Sequence, residues 1–275
     1  MISSFSFTEY SGAKFTQGVV FKKSLGQNFI FDEGFLESIV RELALCKDDI
    51  VVEVGTGAGT LTRVLARKVK QVITYEIDRS LEPVLQKQFE DFNNIELHFA
   101  DAMKIKDFPS EFKVVANIPY YITTPLILKF LAIDACKEIC VLIQDEVASR
   151  IVAKPGGKEY GALSVTMQAQ AECKIIRRVP RSLFKPVPNV DSAFVTIKKF
   201  SASRIDCRGT GIFNQLVKGC FASRRKTMLN ALKNSFGLDT QTARNILSEC
   251  GIDESIRPEN ISVDKYIELS RKLMR

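Results

Sequence analysis

The sequence holds 275 residues, and its 45% hydrophobic side chains suffice for a large packed core, which excludes a wholly disordered chain. Its 39 Lys and Arg residues outnumber 32 Asp and Glu residues, which gives a net charge of +7. Charges and prolines interrupt the apolar runs, so no membrane span is predicted, and the polar N-terminus is not typical of a signal peptide.

The first half of the chain alternates strand patterns with helix patterns. Short apolar runs predict buried strands, and apolar residues three and four positions apart predict helices. In chain order we predict a helix at residues 35–45, a strand at 50–54, a helix at 60–68, a strand at 71–77, a helix at 83–89, strands at 95–99 and 113–116, a helix at 125–131 and a strand at 139–143. This alternation is typical of a mostly parallel sheet with helices on both faces.

The pattern changes after residue 161. A helix is predicted at 163–170, strands at 173–179 and 193–200 form an antiparallel pair, a polar linker covers 201–211, and helices follow at 212–221, 226–235, 240–250 and 263–274. We therefore expect an N-terminal extension at 1–20, an α/β domain at 21–201 and a small all-helical C-terminal domain at 202–275.

Positive charge is concentrated in one part of the chain. Residues 150–233 carry 17 basic and 4 acidic side chains, a net charge of +13, whereas residues 1–149 have a net charge of −5. Lys and Arg side chains release counterions from phosphates, so this block indicates a polyanionic partner. A solvated basic face without a partner remains an alternative, and lipid is less favoured because no basic amphipathic anchor is present.

Cysteine and histidine usage limits the possible chemistry. The seven cysteines are an odd number and form no C-x-x-C pair, which favours buried free thiols in a protein of the reducing cytoplasm. His98 is the only histidine, and it lies in a strand pattern. A histidine-rich metal site is therefore excluded.

A glycine-rich loop follows the strand predicted at 50–54. Gly55, Gly57 and Gly59 open the next helix, and without Cβ atoms they let a ligand approach the backbone. Thr60 breaks the G-x-G-x-x-G pattern of dinucleotide sites, and no Gly-Lys-Ser/Thr follows, so a phosphate-binding loop is not indicated. This loop is expected to approach a nucleoside without a pyrophosphate.

Two carboxylates and a second motif follow later strands. Glu76 could accept both ribose hydroxyls, and Asp101 could accept an adenine amino group. In Asn117-Ile-Pro-Tyr120, the Asn117 oxygen and a backbone carbonyl held by Pro119 could accept the hydrogens of an adenine N6 amino group, on which Tyr120 would stack. The alternatives are a tight turn with two solvated acids, and an ordinary Asn-x-Pro turn.

Two further motifs lie in the basic block. Phe184 and Lys185 begin the run FKPVPNVDS at 184–192, and an aromatic ring beside cations is typical of sites for single-stranded nucleic acid. Arg224, Arg225 and Lys226 form a cluster that would suit a phosphate. The alternatives are a proline-stiffened loop with Phe184 packed inward and a solvated helix start.

Together these motifs, with KSLGQNF at 23–29 and EVGTGAG at 53–59, resemble those of the ribosomal RNA adenine dimethyltransferases over about residues 20–272. The resemblance is closest to the branch that acts on the small ribosomal subunit. It implies a Rossmann-like class I methyltransferase domain with S-adenosylmethionine as the cofactor. It also implies a set of site residues: cofactor binding by Asn28, Ile30, Gly55, Gly57, Glu76, Asp101 and Asn117; catalysis by Asn117, Pro119, Tyr120 and Phe184, with Tyr120 and Phe184 enclosing a flipped adenine; and RNA binding by Lys185, Arg224, Arg225 and Lys226.

The implied activity is the transfer of two methyl groups to each of two adjacent adenosines near the 3′ end of 16S rRNA, in an assembling 30S particle. A cytoplasmic monomer without a metal or membrane partner is expected. Three alternatives remain: a 23S rRNA dimethyltransferase that confers macrolide resistance, a non-catalytic assembly or transcription factor on the same scaffold, and an NAD dehydrogenase. The C-terminal helices and the basic cluster favour 16S over 23S rRNA as the substrate. Intact Asn117 and Tyr120 favour an enzyme over a non-catalytic factor, and Thr60 disfavours the dehydrogenase.

Overall fold

The computed structural model describes residue 22 and residues 26–205, 209–222 and 226–274. The expected N-terminal extension at 1–20 lies outside these residues, as do Arg224 and Arg225. The strands in the described part are β1 (Phe29–Ile30), β2 (Ile50–Val54), β3 (Gln71–Glu76), β4 (Ile95–Phe99), β5 (Phe112–Asn117), β6 (Cys136–Gln144), β7 (Ala171–Val179), β8 (Phe184–Lys185) and β9 (Ser192–Lys199). The helices are α1 (Glu33–Glu42), α2 (Thr60–Ala66), α3 (Glu82–Phe89), α4 (Thr123–Leu131), α5 (Asp145–Val152), α6 (Ala162–Gln168), α7 (Thr210–Phe221), α8 (Met228–Phe236), α9 (Thr240–Glu249) and α10 (Val263–Lys272).

Seven of these strands form one sheet in the order β4-β3-β2-β5-β6-β9-β7. The pairs β3–β4, β2–β3, β2–β5 and β5–β6 are parallel. At the other edge, the Phe200 amide donates to the Gln170 carbonyl, and the Thr196 hydroxyl donates to the Lys174 carbonyl. Along these two hydrogen bonds the residue number falls in β9 while it rises in β7, so the two strands run antiparallel. The predicted α/β architecture, a mostly parallel sheet with one antiparallel pair and C-terminal helices, is confirmed.

Local sequence explains several of these elements. β2 reads IVVEV and lies in the middle of the sheet, so its last four residues are buried, including Glu53. α1 begins after Asp32, whose carboxylate accepts the Phe35 amide as an N-cap. α9 and α10 begin in the same way, at Asp239 and Ser262. α5 was not predicted from the sequence, and neither were the two-residue strands β1 and β8, which pair antiparallel with each other.

Contacts between Cα atoms divide the described chain into two compact units. The first contains residues up to Asp145 together with Ile176–Val195, and the second contains Glu146–Ile175 and the residues from Thr196 onward. The core of the first unit is formed by apolar side chains of α1, α2 and the central strands. In the core of the second unit, Tyr160 and Val165 pack with the C-terminal helices. The domain boundary between residues 201 and 202 stays a prediction, and the packing groups residues 146–175 with the C-terminal helices.

Every helix in the described part of the chain is too short or too polar to cross a bilayer. Cys140, Cys220 and Cys250 are buried free thiols, whereas Cys46 is exposed and Cys207 lies outside the described residues. Within the described residues, no group of three or more His, Cys, Asp and Glu side chains is placed to hold a metal ion.

Candidate active site

The glycine loop after β2 forms one wall of a cavity of about 280 Å³ in the first unit. Gly55 and Gly57 have φ angles of 82° and 56°, a left-handed conformation that favours glycine. A Cβ atom on Gly57 would lie 2.5 Å from the Phe29 ring, and one on Gly55 would lie 3.3 Å from the Asn117 carbonyl oxygen. The loop therefore packs closely against its neighbours and presents bare backbone to the cavity.

Glu76, at the carboxyl end of β3, is anchored by three backbone amides. Its Oε2 accepts the Gly57 amide at 2.8 Å, and its Oε1 accepts the Ile77 and Asp78 amides, each at 2.9 Å. Burial raises the pKa of Glu76, against the opposing effect of these hydrogen bonds. A carboxylate offers about four acceptor positions, so capacity for hydroxyl donors remains.

The wall after β4 combines a carboxylate with apolar side chains. Asp101 Oδ1 accepts the Met103 amide at 2.9 Å, and Met103 and Ile77 line the cavity with exposed apolar surface. Lys129 of α4 anchors the segment that follows Asp101. Its Nζ donates to the carbonyls of Ala102, Met103 and Ile105 at 2.7, 3.0 and 2.6 Å. Lys129 was not among the predicted site residues, since its spacing in the sequence indicates only a helix position. A wall that combines apolar side chains with a carboxylate suits a flat heterocycle that carries an amino group.

Asn117 and Tyr120 line the same cavity where β5 ends. The Asn117 Nδ2 donates to the Asn28 carbonyl at 2.8 Å, and no described residue donates to its Oδ1. The Tyr120 hydroxyl lies 2.7 Å from Ser192 Oγ, and burial raises the pKa of Tyr120. The Pro119 carbonyl accepts the Ile122 amide at 3.1 Å in the 3-10 turn Tyr120–Ile122, and it also accepts the Thr123 hydroxyl at 3.4 Å.

A segment preceding α1 is tied to the end of β3. Gln27 lines the cavity, and its Nε2 donates to Asp78 Oδ2 at 3.1 Å, while Lys22 forms an ion pair with Asp78 Oδ1 at 2.5 Å. Although burial opposes it, donation from Lys22 and Ser80 holds the pKa of Asp78 below its usual value. Asp78 was not among the predicted site residues, although a carboxyl group two residues after Glu76 is visible in the sequence.

The structure therefore brings most of the expected residues together. The cavity is lined by Asn28, Gly55, Gly57, Glu76, Asp101, Asn117, Pro119 and Tyr120. Ile30 and Phe184 do not line it: they face each other in the β1–β8 pair and belong to the buried core of the first unit. The Phe184 ring is fully buried and offers no face to a base in this arrangement, so its stacking role stays a prediction. Lys185 follows it in β8, Lys226 is exposed, and Arg224 and Arg225 lie outside the described residues.

A ligand cavity at the carboxyl ends of parallel strands, with a glycine loop after β2 and acids after β3 and β4, defines a class I methyltransferase. Two solved structures share this fold. A dimethyladenosine transferase from Plasmodium falciparum is 27% identical with a TM-score of 0.77, covering 89% of this chain and 97% of its own. The 23S rRNA methyltransferase ErmE is 25% identical with a TM-score of 0.74, covering 90% of this chain and 100% of its own.

The chain belongs to the ribosomal RNA adenine dimethylase family, whose sequence profile matches residues 18–274. It is 40% identical over 257 residues to a protein named ribosomal RNA small subunit methyltransferase A from Clostridium botulinum (strain Okra / Type B1), covering 91% of this chain and 93% of that one. The protein is thus an rRNA adenine dimethyltransferase that uses S-adenosylmethionine. This membership excludes the dehydrogenase alternative.

The cavity residues fit this cofactor. The spare acceptor capacity of Glu76 suits ribose hydroxyls, and Asp101, which lines the cavity together with Ile77 and Met103, suits an adenine ring with its amino group. The tight glycine loop leaves room for the remainder of the molecule beside Asn28 and Asn117.

Proposed function

We propose that the protein dimethylates N6 of two adjacent adenosines near the 3′ end of 16S rRNA, as a cytoplasmic monomer acting on an assembling 30S particle. The observation that carries the chemistry is the convergence of Asn117 with Glu76 and Asp101 on one cavity. The choice of the small subunit is supported by 40% identity to a small-subunit methyltransferase, compared with 25% to a 23S rRNA methyltransferase, at similar coverage.

The orientation of Asn117 suits an acceptor role. Because its Nδ2 is committed to the Asn28 carbonyl, the side-chain oxygen is left to accept a hydrogen from the target amino group. The N6 lone pair of adenine is delocalised into the ring, and hydrogen bonds to acceptors draw the nitrogen toward tetrahedral geometry. S-adenosylmethionine supplies a methyl group on a sulfonium, which is already a good leaving group. No strong general base is required, and the displaced N6 proton passes to solvent.

Tyr120 would position the target base rather than transfer a proton. Its hydroxyl is tied to Ser192, and burial raises the pKa of Tyr120, so the hydroxyl stays protonated at neutral pH. A ring held in this way offers a stacking face at little further cost in conformational entropy. Extruding a base costs a few kcal/mol, and phosphate contacts in the basic block would offset this cost.

The test incubates the enzyme and labelled S-adenosylmethionine with small subunits that carry unmethylated rRNA, or with large-subunit RNA, and maps the modified nucleotides. We expect dimethylation of two adjacent adenosines in the small subunit alone. Asn117→Ala should lower the rate at saturating substrate by about 100-fold or more, with rRNA binding retained. Asn93→Ala, in the exposed loop before β4, is the matched control and should keep wild-type activity.

Each negative outcome has a separate meaning. Labelling of large-subunit RNA alone would reject the proposed substrate and leave the chemistry in place. A wild-type rate for Asn117→Ala would reject the role assigned to Asn117. Binding of small subunits without methyl transfer would favour the assembly-factor alternative.

A further inference from the structure

Tyr121 places an exposed aromatic ring at the mouth of the cavity. Its side chain lines the cavity, yet 60% of the residue is accessible to solvent. Among the described residues, Ile77 and Met103 are the other large apolar side chains that are both exposed and on the cavity wall, and neither is aromatic. Exposing apolar surface to water costs free energy, and this ring lies on the wall of a binding cavity, so a ligand in the cavity can cover it.

Neighbouring contacts hold this ring in place. The 3-10 turn Tyr120–Ile122 is closed by the hydrogen bond from the Ile122 amide to the Pro119 carbonyl. The Tyr121 ring packs on Gly26, where a Cβ atom would lie 3.5 Å from the ring. No described residue forms a hydrogen bond with the Tyr121 hydroxyl. The turn therefore fixes the backbone at Tyr121, and the exposed ring beside Gly26 leaves a face available.

The other rings near Asn117 are already engaged. Tyr120 is half-buried with its hydroxyl tied to Ser192, and Phe184 is completely buried in the core. Because Tyr121 follows Tyr120 in the same turn and is the more exposed of the two, a base stacked on Tyr121 lies at the cavity mouth. The base presented to Asn117 lies deeper.

We propose that Tyr121 stacks on the nucleotide next to the target adenosine and so selects a purine at that position. The inference rests on the proposed function, since it requires an RNA strand whose target base enters the cavity. Aromatic stacking is tolerant of base identity, but a purine offers a larger face than a pyrimidine. In a substrate with two adjacent adenosines, the partner adenosine supplies this purine when it lies on the side of the target that faces Tyr121.

The experiment measures methylation of small subunits that carry unmethylated rRNA, in which one of the two adjacent adenosines is either retained or replaced by uridine. For the wild-type enzyme, we expect uridine in the position that faces Tyr121 to lower kcat/KM at the remaining adenosine by about threefold, a part of one stacking contact. Tyr121→Ala should lower kcat/KM on the unsubstituted subunit by about tenfold, the order of one whole stacking contact, and abolish the penalty for uridine. Tyr121→Phe keeps the ring and should stay within about twofold of wild type.

Two controls separate stacking from damage to the site. The Kd of S-adenosylmethionine, measured by calorimetry, should be unchanged in Tyr121→Ala. Leu128→Ala removes another exposed apolar side chain, on α4 and away from the cavity wall, and should leave the rates unchanged.

Several outcomes would overturn the inference. The first two are an unchanged kcat/KM in Tyr121→Ala and an equal penalty for uridine in wild type and Tyr121→Ala. The others are a Tyr121→Phe variant as impaired as Tyr121→Ala and a loss of S-adenosylmethionine affinity in Tyr121→Ala that parallels its loss of kcat/KM. Failure of the wild-type enzyme to methylate the unsubstituted small subunit would instead reject the proposed function.

Discussion

Glu53 is a carboxyl buried in the middle of the sheet, directly before the glycine loop. Its Oε2 accepts the hydroxyls of Thr62 and Thr74 at 2.6 and 2.7 Å, while its Oε1 has no hydrogen-bond partner among the described residues. Burial, followed by repulsion from the Glu76 carboxylate, raises the pKa of Glu53 to about 8, against the two threonine hydrogen bonds. Glu53 is therefore largely protonated at neutral pH.

This shift predicts that stability falls as pH rises. Below pH 4.5, the ordinary value for this group, both states hold the proton, and between 4.5 and about 8 only the folded state does. The free energy of unfolding should therefore decrease across this window, by an amount on the order of a few kcal/mol. Glu53→Gln keeps an acceptor for both threonines and cannot ionise. The free energy of unfolding of the variant, relative to that of wild type, should therefore increase from pH 5 to pH 8. Urea unfolding at pH 5, 7 and 9 measures this, and parallel pH profiles of the two proteins would contradict it.

At the level of elements, the site depends on contacts between a helix and a loop. α4 carries Lys129, whose ammonium group is shared by three carbonyls of the segment that follows Asp101. Burial lowers the pKa of Lys129, and the charge of Asp101 opposes this effect. The same Nζ lies 5.5 Å from the centre of the Phe108 ring. Lys129 is thus a positioning residue for the wall that would receive the adenine of the cofactor.

Replacing Lys129 should separate cofactor affinity from turnover. Lys129→Met keeps most of the apolar stem and removes three hydrogen bonds, so we expect the Kd of S-adenosylmethionine to rise by about tenfold, the equivalent of ~1.4 kcal/mol. At saturating cofactor, kcat should change by less than about twofold, because Asn117 is untouched. Lys106→Met, an exposed lysine in the same loop, should leave both quantities unchanged. A fall in kcat without a change in Kd would contradict the positioning role.

For the whole molecule, the distribution of charge matters more than its sum. The net charge of +13 in residues 150–233 exceeds the +7 of the complete chain, because the remaining residues are acidic on balance. Polyanion binding through such a block is driven by counterion release and weakens with salt. rRNA affinity should therefore fall steeply as salt is added, whereas cofactor affinity should not.

A substitution at Lys226 tests whether the basic block binds rRNA phosphates, since Lys226 is exposed and belongs to the basic cluster of the sequence. If Lys226 contacts one phosphate, Lys226→Ala should make the slope of log K against log salt shallower by about 1. Lys47→Ala removes an exposed lysine from the acidic part of the chain and should leave the slope unchanged. Filter-binding titrations with small-subunit rRNA at several salt concentrations measure both, and equal slopes for wild type and Lys226→Ala would remove Lys226 from the RNA-binding surface.

Much of the fold follows from local patterns. β2 and β4 begin and end at the predicted residues. For β2 the reason is that a short apolar run bounded by polar positions has few alternatives in a parallel sheet. The strands β1 and β8 were missed, because two residues are too few to show a period and their pairing joins positions about 155 residues apart. α5 was missed because it follows β6 without an intervening loop.

The sequence by itself determined which residues could meet around a ligand. Gly55, Glu76, Asp101 and Asn117 each lie at or just after the carboxyl end of a strand, and parallel strands bring these ends to one edge. Only the tertiary structure decided which way a side chain faces and what it contacts. Phe184 is turned into the core, Tyr121 remains at the cavity mouth, and Lys129 reaches three carbonyls of a loop more than twenty residues away. Such choices depend on packing between segments distant in sequence, and no local pattern of residues encodes them.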